Sequence, residues 1–93
     1  MNKKNLRKYR IKIDKLDNKI FILIKDRTKI IKNILSEKRF KSQIVDHKRI
    51  NEILKKIKGR SIKDNIDPKI TRRIWKSIIW SYIDFQRRNF KRK

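Results

Sequence analysis

Residues 6–35 read LRKYRIKIDKLDNKIFILIKDRTKIIKNIL, and their spacing decides the fold. Leu6, Ile13, Ile20 and Ile34 fall on one seven-residue line. Tyr9, Leu16, Leu23 and Ile30 lie three residues further on, and Ile24 and Ile31 four residues further on. Such a pattern places one apolar stripe along a helix, and neither Gly nor Pro interrupts it. The spacing predicts a single helix from about Lys4 to about Lys41.

The rest of the chain is read outward from that helix. Asp46 is an N-cap for a second helix over about residues 46–58, whose apolar line is Ile50, Ile53, Leu54 and Ile57. Gly59 reads as its C-terminal stop, with a loop from Arg60 to Ile66. Asp67-Pro68 reads as N-cap plus first-turn proline of a third helix over about residues 68–89. That helix carries Ile70, Ile74, Trp75, Ile78, Ile79, Tyr82 and Phe85, and a basic tail follows it. The 93 residues are thus one all-α domain of three helices, without repeats. About 38 residues at roughly 1.5 Å each make the first helix about 57 Å long. A compact chain of this size has a radius of gyration near 12 Å. Two shorter helices cannot cover such a stripe at both ends, so an intertwined homodimer is expected.

Composition removes most other classes. One Gly and one Pro argue against a β-sandwich, a Rossmann unit and a phosphate-cradling loop. The absence of Cys removes disulfides, thiolate metal sites and Cys nucleophiles, and a single His, His47, leaves no His cluster. No metal or cofactor is therefore expected. No apolar run is long enough to span a membrane, and MNKKNLRKYR carries no secretory h-region, so the expected location is the cytoplasm. Lys and Arg number 31 against 9 Asp and Glu, a net charge of +22. With 20 Lys, 19 Ile and no Ala, part of that charge reflects a chain that uses Lys and Ile by default. A basic chain still attracts anions, and position decides which.

The informative positions are the exceptions on the stripe. Arg10, Asp17, Arg27 and Lys38 stand where the heptad phase asks for an apolar residue. Gln86 falls on the apolar line of the third helix, and Arg49 flanks that of the second. A charge on a buried face is costly unless it is paired or meets a ligand. An excess of such cations, with the forked donors of Arg, suits a dicarboxylate.

The run Arg10-Ile11-Lys12-Ile13-Asp14-Lys15-Leu16-Asp17, with Arg27, Lys38, Asp46-His47-Lys48-Arg49 and Gln86 in that order, resembles the all-helical chorismate mutases over roughly residues 6–90. The resemblance implies an intertwined dimer of three-helix chains that rearranges chorismate to prephenate without a cofactor. It implies that Arg27 and Arg49 bind carboxylates within one chain and that Arg10 reaches in from the other. Lys38 and Gln86 would donate to the ether oxygen, and Asp46 would contact the hydroxyl region of the substrate. Two positions depart from the pattern: Ile50 stands where the mutases usually carry Glu, and Tyr82 where they often carry Ser. Ile78-Ile79-Trp80-Ser81-Tyr82-Ile83 and Arg39-Phe40-Lys41 are similar to the related isochorismate-pyruvate lyases, which makes Lys41 a rival to Lys38.

Plainer readings stand beside these. Arg10 and Asp17 could form a structural ion pair, and Lys38 could be a solvated residue answering a helix dipole. Trp75, Trp80 and Tyr82 read as packing residues, and His47 as a solvated one. A nucleic-acid binder using Arg72-Arg73 and the tail Arg87–Lys93 is the alternative of another class. It is disfavoured because there is no helix-turn-helix signal and because Arg10 and Arg27 lie on the apolar stripe. The expectation is a chorismate mutase, with isochorismate-pyruvate lyase second.

Overall fold

The computed structural model describes residues 2–91. Arg92 and Lys93 of the basic tail lie outside the described residues. Among these residues the chain is all-α: α1 spans Lys3–Glu37, α2 His47–Lys63 and α3 Pro68–Asn89, with a 3₁₀ turn at Lys41–Gln43. It divides into two compact units, the first ending at Ile31 and the second starting at Lys32.

The first unit is the leading part of α1. The heptad phase read from the sequence is a real stripe on that helix, yet it is left open. Tyr9, Ile13, Leu16, Ile20, Leu23 and Ile30 are all more than half exposed. No residue of α1 is buried.

The second unit holds the core. α2 and α3 pack on each other. Ile44, Ile79 and Ile83 form its buried cluster, with Val45, Ile50, Ile53, Leu54 and Phe90 packed against it. Ser61 is buried as well; its Oγ donates to the Ile57 carbonyl and lies 2.7 Å from the Thr71 hydroxyl, tying α2 to α3. Ile44 and Ile83 are core residues that the helix pattern did not pick out. Ile44 sits in a linker, outside any helical period, and Ile83 was masked by the neighbouring Ile79-to-Tyr82 line. Ile70 and Ile74, placed on the third apolar face, remain about half exposed.

Three boundaries differ from the sequence reading. α1 ends at Glu37, not near Lys41. The Gln43 side chain explains the stop: its Oε1 accepts from the Arg39 and Phe40 amides at 2.8 and 3.0 Å. A continuing helix would have given those amides to carbonyls four residues back. Phe40 is extended, and the 3₁₀ turn begins directly after it.

Gly59 does not stop α2; the helix runs through it to Lys63 and reduces the expected loop. Gly59 has no positive φ, so it is an ordinary helical residue here. The stop is at Asn65, which has φ 57°. The Ile66 amide donates to the Ser61 carbonyl at 2.8 Å and the Asn65 amide to the Ile62 carbonyl at 3.3 Å. This is the paired closure of a Schellman end, with Asn supplying the left-handed residue that Gly usually supplies. The two N-caps follow the sequence reading: Asp46 accepts from the Arg49 amide at 3.0 Å and Asp67 from the Lys69 amide at 2.9 Å.

Candidate active site

The second unit brings Lys38, Asp46 and Gln86 together. Lys38 follows the last residue of α1, where its amide still donates to the Leu35 carbonyl. The Gln43 turn then redirects the chain. Asp46 caps α2. Gln86 lies on α3 in the same buried row as Ile79 and Ile83, and is only 5% exposed. Lys38 Nζ donates to Gln86 Oε1 at 2.7 Å, a contact between residues 48 apart in sequence.

That hydrogen bond fixes the amide. An ammonium only donates, so it must meet the oxygen of Gln86. Gln86 Nε2 is then the donor end that points away from Lys38. Lys38 itself uses one of three N–H bonds on Gln86. The pair therefore offers an ammonium and a neutral amide donor from neighbouring atoms, held by a buried helix row on one side and a helix end on the other. Burial pulls the Lys38 ammonium below its ordinary lysine value, and the Asp46 carboxylate acts in the opposite direction. Asp46 thus has two duties, capping α2 through Arg49 N and supporting the charge on Lys38.

Lys38 and Asp46 line one open cleft of about 480 Å³, together with Ser42, Gln43, Val45 and His47. Gln43 was not singled out from the sequence. Its part is to position: it closes the turn that carries Lys38 toward Gln86. No local sequence signal marks it, because the side-chain-to-backbone bonds exist only once the turn is formed. Lys41, the rival lysine, is exposed in the 3₁₀ turn, and the Lys38 bond to Gln86 has no counterpart there.

The other candidates are placed as follows. Arg49 is exposed in the first turn of α2. Ile50 is half-buried against the Ile44, Ile79 and Ile83 cluster, so it serves the core. Tyr82 is half-buried one turn before Gln86. Arg27 is half-buried and Arg10 exposed, both in the first unit. They lie on one helix about 25 Å apart along its axis, from the rise of roughly 1.5 Å per residue. Two arginines of one chain so separated cannot grip one small dianion. Among the described residues, no group of three or more His, Cys, Asp or Glu is placed to hold a metal ion, and no helix is long and apolar enough to cross a membrane.

A family model for chorismate mutase type II matches residues 9–87, and the chain belongs to that family. No curated protein and no solved structure matches it. The matched span includes every candidate residue from Arg10 to Gln86.

Proposed function

We propose that this member of the chorismate mutase type II family converts chorismate to prephenate, and that Lys38 and Gln86 are its charge-stabilising pair. The observation that carries the reading is the 2.7 Å bond from Lys38 Nζ to a Gln86 that is almost fully buried. In the rearrangement the ether carbon–oxygen bond breaks while a carbon–carbon bond forms between the side-chain methylene and the ring. No proton is gained or lost, so neither nucleophile nor base is required. The enzyme must hold the dianion in its compact reactive shape and stabilise charge growing on the ether oxygen. The remaining N–H bonds of Lys38 and the Nε2 of Gln86 are donors suited to that oxygen. Preorganised donors of this kind act without reorganising during the reaction.

In this reading Arg27 and Arg49 take the carboxylates, Asp46 accepts from the ring hydroxyl, and Arg10 comes from a second copy of the chain. The axial distance between Arg10 and Arg27 supports that last assignment. Ile50 and Tyr82 shape the wall of the site.

Ile50 also favours a second reading, isochorismate-pyruvate lyase. It can neither donate nor accept, and its packing against the apolar cluster ties it to the core. A substrate hydroxyl facing it is left unpaired, a loss of about 1–3 kcal/mol for a buried group. The test is kcat/KM for chorismate and for isochorismate on one preparation. The mutase reading expects chorismate to be turned over, with a KM that Ile50→Glu lowers. A preference for isochorismate greater than about tenfold, roughly 1.4 kcal/mol, selects the lyase. Turnover of neither substrate removes both readings.

A further inference from the structure

Away from the Lys38–Gln86 bond, two aromatic residues distant in sequence line one hollow together with two cations. Phe40 stands between Arg39 and Lys41, and Phe90 stands between Arg87-Arg88-Asn89 and the tail Lys91-Arg92-Lys93. Phe40, Phe90, Arg39 and Lys41 line one hollow of about 340 Å³. Its two aromatic walls are held differently. Phe90 follows the end of α3 in extended conformation and packs against the Ile44, Ile79 and Ile83 cluster, so its ring is anchored. Phe40 is 65% exposed, but its backbone is fixed by the Gln43 side chain. No ion pair engages Arg39 or Lys41 among the described residues; Arg88 is paired, with Asp84. No carboxylate lines the hollow.

We propose that this hollow is a stacking site for single-stranded nucleic acid: a base enters beside Phe40 and Phe90, and Arg39 and Lys41 take the flanking phosphates. Three features point to this partner. Aromatic side chains on which bases stack, beside cations that meet the backbone, are the general chemistry of single-strand binding and need no sequence-reading element. A net charge of +22 draws in a polyanion and releases its counterions. The site is a recess between two chain segments, whereas insertion into a lipid surface calls for a protruding apolar face.

Fluorescence anisotropy on the full chain tests the proposal. The probes are a labelled oligothymidylate of about twelve nucleotides and an abasic oligomer of equal length and charge, each titrated at several salt concentrations. The thymidylate should bind more tightly than the abasic strand. Phe40→Leu should weaken thymidylate binding at least about fivefold, the lower range for losing one stacked base, and leave abasic binding unchanged. Thermal melting of Phe40→Leu checks that the fold is intact, and this exposed position should not move it. Equal affinity for the two strands would show charge alone at work and overturn the proposal. So would unaltered thymidylate binding by Phe40→Leu. Loss of binding to anionic phospholipid vesicles in that variant, with thymidylate binding intact, would reassign the hollow to a membrane surface.

Discussion

Replacing Lys38 by Met keeps the length of the side chain and removes its charge and donors. Two effects follow from the structure, of different size. In the resting protein, Gln86 Oε1 loses its 2.7 Å partner inside a row that is almost fully buried. An unsatisfied buried acceptor costs about 1–3 kcal/mol. The cost here belongs at the lower end, because removing the ammonium also relieves the burial that now lowers its pKa. In the proposed reaction, the ether oxygen would lose a preorganised charged donor, worth about 2.7–4 kcal/mol, or roughly 10²- to 10³-fold in kcat. Lys38→Met should therefore lower kcat at least about a hundredfold while Tm falls by only a few degrees. Lys41→Met is the control. Lys41 is exposed, so the substitution should change stability by less than about 0.5 kcal/mol and leave kcat almost unaltered. Steady-state assay of chorismate consumption, with thermal melting on the same samples, measures both. Refutation is a Lys38→Met enzyme with more than a tenth of normal kcat, or a larger loss from Lys41→Met.

The alkaline limb of kcat/KM should lie below the ordinary lysine range, because the proposed mechanism uses the ammonium of Lys38 and burial lowers its pKa. Asp46→Asn should move that limb to still lower pH, since Asn can cap α2 but supplies no opposing charge; an unmoved limb would separate Asp46 from Lys38. Light scattering should give twice 11.6 kDa. Arg10→Ala and Arg27→Ala homodimers should each be nearly inactive, whereas refolding them together should restore up to about a quarter of normal activity, because half the dimers are mixed and each has one intact site. Gly59→Ala should stabilise the protein by about 0.5–1 kcal/mol, as a Cβ there meets nothing within 4 Å and the residue is helical. Asn65→Val should destabilise it by about 1–2 kcal/mol, the cost of a left-handed conformation that Val resists; equilibrium denaturation reads both changes.

Helix positions were legible because they repeat. The stripe from Leu6 to Ile34 is a periodic signal over many turns, and no single residue can hide it. Helix ends were less legible because each is decided by one side chain acting on a few backbone groups. Gly59 has the usual signature of a stop but sits in a helix, and Asn65 performs the stop with weaker chemistry. Gln43 ends α1 by taking two amides from ahead of it in the chain, a competition visible only in three dimensions. The site was legible in a third way, as a conflict. Lys38 and Gln86 stand against the apolar periodicity read from the sequence, and they meet each other. Ile50 gave no such warning, since an apolar residue that also serves the core leaves the pattern intact.

The same conflict bears on the proposed second copy of the chain. Among the described residues Ile44, Ile79 and Ile83 are the buried apolar ones, while most of the α1 stripe is exposed. Burying Tyr9, Ile13, Leu16, Ile20, Leu23 and Ile30 against a second copy would remove from water apolar surface that one chain leaves exposed. It would also allow Arg10 to reach the proposed site of the other copy. Stability and catalysis would then depend on one surface. Folding and association would be a single reaction, with a Tm that rises with protein concentration and an activity lost on dilution together with the helical signal.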